Sequence, residues 1–175
     1  MTVLAGPFAA AAVLLAVGGA LKVVRPDDTA VALRMAGLGV RAPAVRAGAA
    51  AEVLLGASAL ATGNALLVAA VAISYAAFTG FVAVALARHL PLASCGCLGG
   101  IDTPPTRVHL AINAGAAAVS AAAAVRGLPP FHEVVADQPL AGIPFLTLVA
   151  LAVWLAAVAM SDLPRSRHVP SRRTQ

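Results

Sequence analysis

Residues 65–87 read ALLVAAVAISYAAFTGFVAVALA, with no charge and no proline. About 20 residues of apolar helix cross the hydrocarbon core of a bilayer. This stretch is long and apolar enough to do so, and it is read as a transmembrane helix carrying Tyr75 and Phe78. Thr62-Gly63-Asn64 before it is an uncharged tight turn, and Arg88-His89-Leu90-Pro91 ends it.

Working outward, four more runs have the same character, over about residues 3–21, 44–61, 107–125 and 143–160. The first could pass for a secretory signal, but such a signal needs a basic region ahead of its apolar run. Here the positive charges, Lys22 and Arg25, follow the run instead. Pro26 is expected to stop this helix. Asp27 or Asp28 is expected to cap a short helix over residues 29–37, whose Val31, Leu33 and Met35 could lie on the membrane interface. The expected fold is therefore all-α: a polytopic bundle of five transmembrane helices forming one domain over residues 1–162. A basic tail over 163–175, expected to be disordered, follows. The spans are rich in Ala and Gly, which favours close helix packing in lipid but also follows from simple compositional bias.

Composition agrees. Hydrophobic residues make up 61% of the chain and charged residues only 11%, whereas a soluble domain carries about 25% charged residues. The net charge of +5 could suggest nucleic acid, but the basic residues lie between apolar runs and in the tail. In a membrane protein that placement sets orientation, positive side inward. With the N-terminus outside, eleven of the 12 Lys and Arg residues fall on the cytoplasmic side and only Arg126 on the outer side. The expected location is the plasma membrane, with a cytoplasmic C-terminus.

Both cysteines of the chain lie in Ser94-Cys95-Gly96-Cys97-Leu98-Gly99-Gly100, a break between the third and fourth spans. Two thiols one residue apart can close a small ring, and Gly96 eases the backbone this needs. Such a ring is tighter than a disulfide prefers, so it exchanges readily. Gly99 and Gly100 leave room for a partner protein. Cys95 and Cys97 are therefore the candidate catalytic pair. Two other readings stay open: inert buried thiols, or a Cu(I) or Zn site completed by His89 or His109.

An acid inside an apolar run is costly and is usually paired or functional. Glu52 lies about eight residues into its span, roughly 12 Å from the end by helix rise. Lys22 is the expected partner, with Arg46 second. The pair is either a tuning or proton-accepting group for the thiols or a lock between two helices. Asn113, in the fourth span, is expected to hydrogen-bond between helices. Tyr75 and Phe78 read as packing, though they could contact a quinone; no cofactor is required. His132 and Glu133 receive no role.

Lys22 after the first span, Glu52-Val53-Leu54-Leu55-Gly56 in the second, Phe78 in the third, then Cys95-Gly96-Cys97-Leu98-Gly99 resemble the methylamine utilisation protein MauE family. That family is similar to the DoxX-like membrane proteins. The resemblance covers about the first 125 residues. Leu98 stands where the family usually has Phe, and a fifth span extends the usual four-helix core. The resemblance implies a redox-associated membrane protein working with a thioredoxin-like partner in the maturation of another protein. It implies Cys95 and Cys97 as the exchanging pair, with Lys22 and Glu52 as the buried polar pair near them. It also implies a partner outside the cytoplasm, whereas the charge count places the cysteines inside. Three functions compete: thiol–disulfide carrier, membrane metal-binding or transport protein, and scaffold subunit without chemistry. Homo-oligomerisation stays open.

Overall fold

The computed structural model describes residues 3–92 and 104–161. Within them all regular structure is helical. Five helices are long and apolar enough to cross a membrane: α1 (Ala5–Val24), α3 (Ala42–Thr62), α4 (Ala65–Ala87), α5 (Arg107–Arg126) and α7 (Ile143–Ser161). Two short helices, α2 (Pro26–Met35) and α6 (Phe131–Ala136), and a 3₁₀ turn at Pro139–Gly142 connect them. All five spans lie where the apolar runs put them, to within about one turn of helix. The tail expected to be disordered begins beyond the described residues.

Three local differences matter. α1 continues to Val24, so Lys22 stands in its last turn rather than beyond its end. α2 starts at Pro26, earlier than expected, because proline at the first helical position loses no hydrogen bond. Asp27 and Asp28 consequently sit in the first turn and make no side-chain cap; there they face the positive end of the helix dipole.

Two glycines of α1 and α3 set how closely those helices approach. A Cβ on Gly19 would lie 2.7 Å from the Ala49 carbonyl oxygen and 3.1 Å from the Glu52 Cβ. A Cβ on Gly56 would lie 2.6 Å from the Ala12 carbonyl oxygen. Rising numbers on one helix meet falling numbers on the other, so the pair is antiparallel. This is packing without a hydrophobic driving force, in which small residues let backbones touch.

The turn into α4 is equally specific. Gly63 adopts φ 61°, a conformation that costs other residues a Cβ clash. Asn64 then caps α4, its side-chain oxygen accepting from the Leu66 N–H at 2.9 Å. α4 packs along α5, and α7 packs mainly against α1. α1 is the most buried of the five spans and α7 the least. Phe8, Leu15, Val68, Val71 and Tyr75 form the centre of the core. The Tyr75 hydroxyl donates to the Ala11 carbonyl at 2.7 Å, fixing α4 to α1. Large apolar side chains on the outside, such as Leu54, Ile73 and Trp154, are more than half exposed. An apolar exterior of this kind suits lipid.

Candidate functional site: a buried ion pair between three spans

The antiparallel arrangement gathers the end of α1, the start of α3, the end of α4 and the start of α5 at one end of the bundle. Helical side chains lean toward their own N-terminus. Lys22 therefore leans from the rim of α1 into the bundle, while Glu52 leans from the middle of α3 toward that rim. They meet with Lys22 Nζ 2.5 Å from Glu52 Oε2. α3 begins at Ala42, so Glu52 stands ten residues along it, about 15 Å by helix rise. Lys22 is 3% exposed. A charge removed from water to this degree persists only when paired.

A third helix joins the pair. Lys22 Nζ sits 4.6 Å from the centroid of the Phe78 ring on α4, a cation–π geometry. The Phe78 ring meets Tyr75 edge-on, with centroids 5.9 Å apart and an interplanar angle of 87°. Tyr75 in turn holds the Ala11 carbonyl. One continuous chain of contacts thus runs from α3 through α1 and α4. Arg46 does not take the second place considered for it. Its Nε donates instead to the Val23 carbonyl at 3.1 Å, satisfying a carbonyl at the end of α1.

Lys22, Glu52, Tyr75, Phe78 and Asn113 line one small void together with Met160 of α7. Asn113 is 2% exposed. Its Nδ2 donates to the His109 carbonyl within α5 at 2.9 Å. His109, considered above as a metal ligand, is fully buried. Its Nδ1 lies 2.9 Å from the hydroxyl of Thr106, the residue capping α5. The cap turns the imidazole inward, which a lone histidine after a double proline does not reveal. His89 is exposed just after α4, with φ 49°.

Cys95, Gly96, Cys97 and Gly99 lie outside the described residues. Among the described residues no group of three His, Asp or Glu side chains is placed to hold a metal ion. What the structure does describe is the stem leading to the cysteines. Leu92 packs with Ala32 of α2 and Ala85 of α4, backed by Phe81 and Leu90. Ala32 and Phe81 also line a cavity of about 370 Å³ that reaches Lys22 and Glu52. The cavity, Phe81 and Met160 had no place in the sequence reading. Tyr75, Phe78 and Phe81 recur at three-residue spacing in a span otherwise built of small and aliphatic residues, a spacing that could have indicated the cavity. Met160 carried no such signal.

Residues 1–128 match the family described as methylamine utilisation protein MauE. The chain belongs to that family. The match covers the two helices of the ion pair, all of α4 and α5, and the Cys-Gly-Cys stretch. It stops before α6, so α7 and its Met160 are additions to the matched MauE portion. No curated protein and no solved structure matches the chain. Family membership and the five apolar spans together make this a multi-pass MauE-family membrane protein.

Proposed function

We propose that the chain is a membrane-embedded thiol–disulfide carrier that exchanges electrons through Cys95 and Cys97 with a thioredoxin-like protein, supporting maturation of another protein. One observation carries this reading. The buried Lys22–Glu52 pair lies inside the bundle, toward the end where the α4–α5 connection, residues 88–106, contains both cysteines. A fixed charge pair toward that end is suited to influencing thiol ionisation, and the thiolate is the reactive form. The stem residue Leu92, packed against α2 and α4, ties that connection to the helices bordering the pair.

In the exchange, a thiolate of the pair attacks one sulfur of the partner's disulfide. The partner's second sulfur leaves as a thiolate, and a mixed disulfide forms. The remaining cysteine then attacks that bond. The partner departs as a dithiol, and Cys95 and Cys97 become a disulfide. Two electrons pass to the partner; the reverse sequence returns them. We place the cysteines on the cytoplasmic side, from the eleven-to-one distribution of basic residues.

The test is covalent trapping in cells. Cys95→Ser and Cys97→Ser are each expressed, and non-reducing gels are examined for an adduct. The expected result is an adduct with at least one variant, lost on reduction. Absence of a reducible adduct with both overturns the reading.

A further inference from the structure

We propose that the cavity between α1, α2, α3 and α4 binds a neutral, lipid-soluble carbonyl ring of the quinone class. This goes beyond the thiol reading and does not depend on it. The cavity holds about 370 Å³, within the range of about 300–1,000 Å³ that small-molecule sites occupy. Its wall is almost wholly apolar, with Phe78 and Phe81 supplying aromatic surface and Lys22 and Glu52 the charged groups. An apolar pocket with a few converging polar groups is the ordinary form of a ligand site.

The polar groups narrow the ligand. Lys22 is already matched by Glu52 at 2.5 Å. An anionic head, from a phospholipid or a fatty acid, would bring its charge against the Glu52 carboxylate as well as the Lys22 ammonium. A neutral acceptor avoids this. The ammonium has three donors, and a ring carbonyl can take one that Glu52 does not. A hydroxyl on the reduced form of such a ring can donate to the carboxylate. Aromatic faces favour a planar ring, stacked or edge-on. A site within a bilayer-spanning bundle favours a molecule already dissolved in lipid.

One glycine makes the test clean. Gly48 lines the cavity, and a Cβ there would meet nothing within 4 Å. A side chain added at this lining position therefore starts from open space. Purified protein in phospholipid nanodiscs is titrated with a decyl-tailed benzoquinone. Saturable binding is expected, weakened at least tenfold in Gly48→Phe, with thermal stability followed in parallel. Decanol, which has the tail but no carbonyl ring, is expected not to compete. The Cys95→Ser/Cys97→Ser double variant is expected to bind as well as the parent, so failure of disulfide trapping leaves this result standing. Lack of saturation, equal binding by a folded Gly48→Phe, or equal competition by decanol overturns the proposal. Should Gly48→Phe not fold, the decanol competition on the parent protein decides.

Discussion

Gly19 of α1 rests against Ala49 of α3 so closely that a Cβ on the glycine would lie 2.7 Å from the alanine's carbonyl oxygen. Lys22 follows Gly19 by three residues, and Glu52 follows Ala49 by three. The close approach therefore sets the distance across which the ion pair forms. Gly19→Ala forces two backbones apart, and overpacking of this kind costs about 1–3 kcal/mol. Gly56→Ala, against the Ala12 carbonyl, is expected to cost a similar amount. Gly48→Ala, facing open space, is expected to be neutral or stabilising by up to about 1 kcal/mol from helix propensity. Thermal unfolding of the three variants in detergent checks the order; equal stabilities would show that α1 and α3 do not pack at these glycines.

Much of this architecture was legible because membrane spans announce themselves by length and apolarity alone. Residues 65–87 gave the ends of α4, and Gly63 and Asn64 gave its turn. The Lys22–Glu52 pair was legible for a related reason: a charge in an apolar run needs a partner, and few were available. Other features were not. Helical periodicity says little in a chain this rich in alanine, so the face on which α7 packs, and with it Met160, could not be read. His109 is buried and meets the Thr106 hydroxyl, neither of which the apolar pattern of α5 encodes. Arg46 stood near enough in sequence to rival Lys22, but it projects from the second turn of α3 to the carbonyl end of α1.

The turn between α3 and α4 supplies a second prediction. Gly63 has φ 61°, and a Cβ there would overlap the carbonyl oxygen of Leu128. Gly63→Ala therefore meets both backbone strain and a clash with rigid main chain. Asn64→Ala removes only a cap, worth about 1 kcal/mol. Gly63→Ala is expected to be the more destabilising of the two, measured by thermal unfolding. An Asn64→Ala loss larger than that of Gly63→Ala would contradict the described turn.

Sidedness can be measured directly. Lys22, Arg25, Arg34, Arg41, Arg46, Arg88 and Arg107 cluster toward one end of the bundle and Arg126 stands at the other, as the chain order of the helices requires. The positive-inside rule then makes the first end cytoplasmic. In intact cells a membrane-impermeant maleimide is expected to leave Cys95 and Cys97 unlabelled and to react only after permeabilisation. His132→Cys, exposed on α6 in a background lacking the native cysteines, is expected to label in intact cells. The opposite pattern would invert the topology.

The ion pair itself separates a helix lock from a functional group. Removing one partner of a buried pair leaves an uncompensated charge and typically costs about 3–5 kcal/mol. Lys22→Met and Glu52→Leu are therefore each expected to lower stability severely. Replacing both by apolar residues removes that penalty, and such replacements are often neutral or stabilising. Lys22→Met/Glu52→Leu is thus expected to recover most of the parent stability, keeping Lys22's stem volume against Phe78 while giving up the cation–π contact. The decisive readout is the thiol reaction. If the pair serves the cysteines, the double variant folds but its mixed disulfide forms at least tenfold more slowly. An unchanged trapping rate in a stable double variant would leave the pair a lock between α1 and α3, and the proposed carrier would need another source of thiol activation.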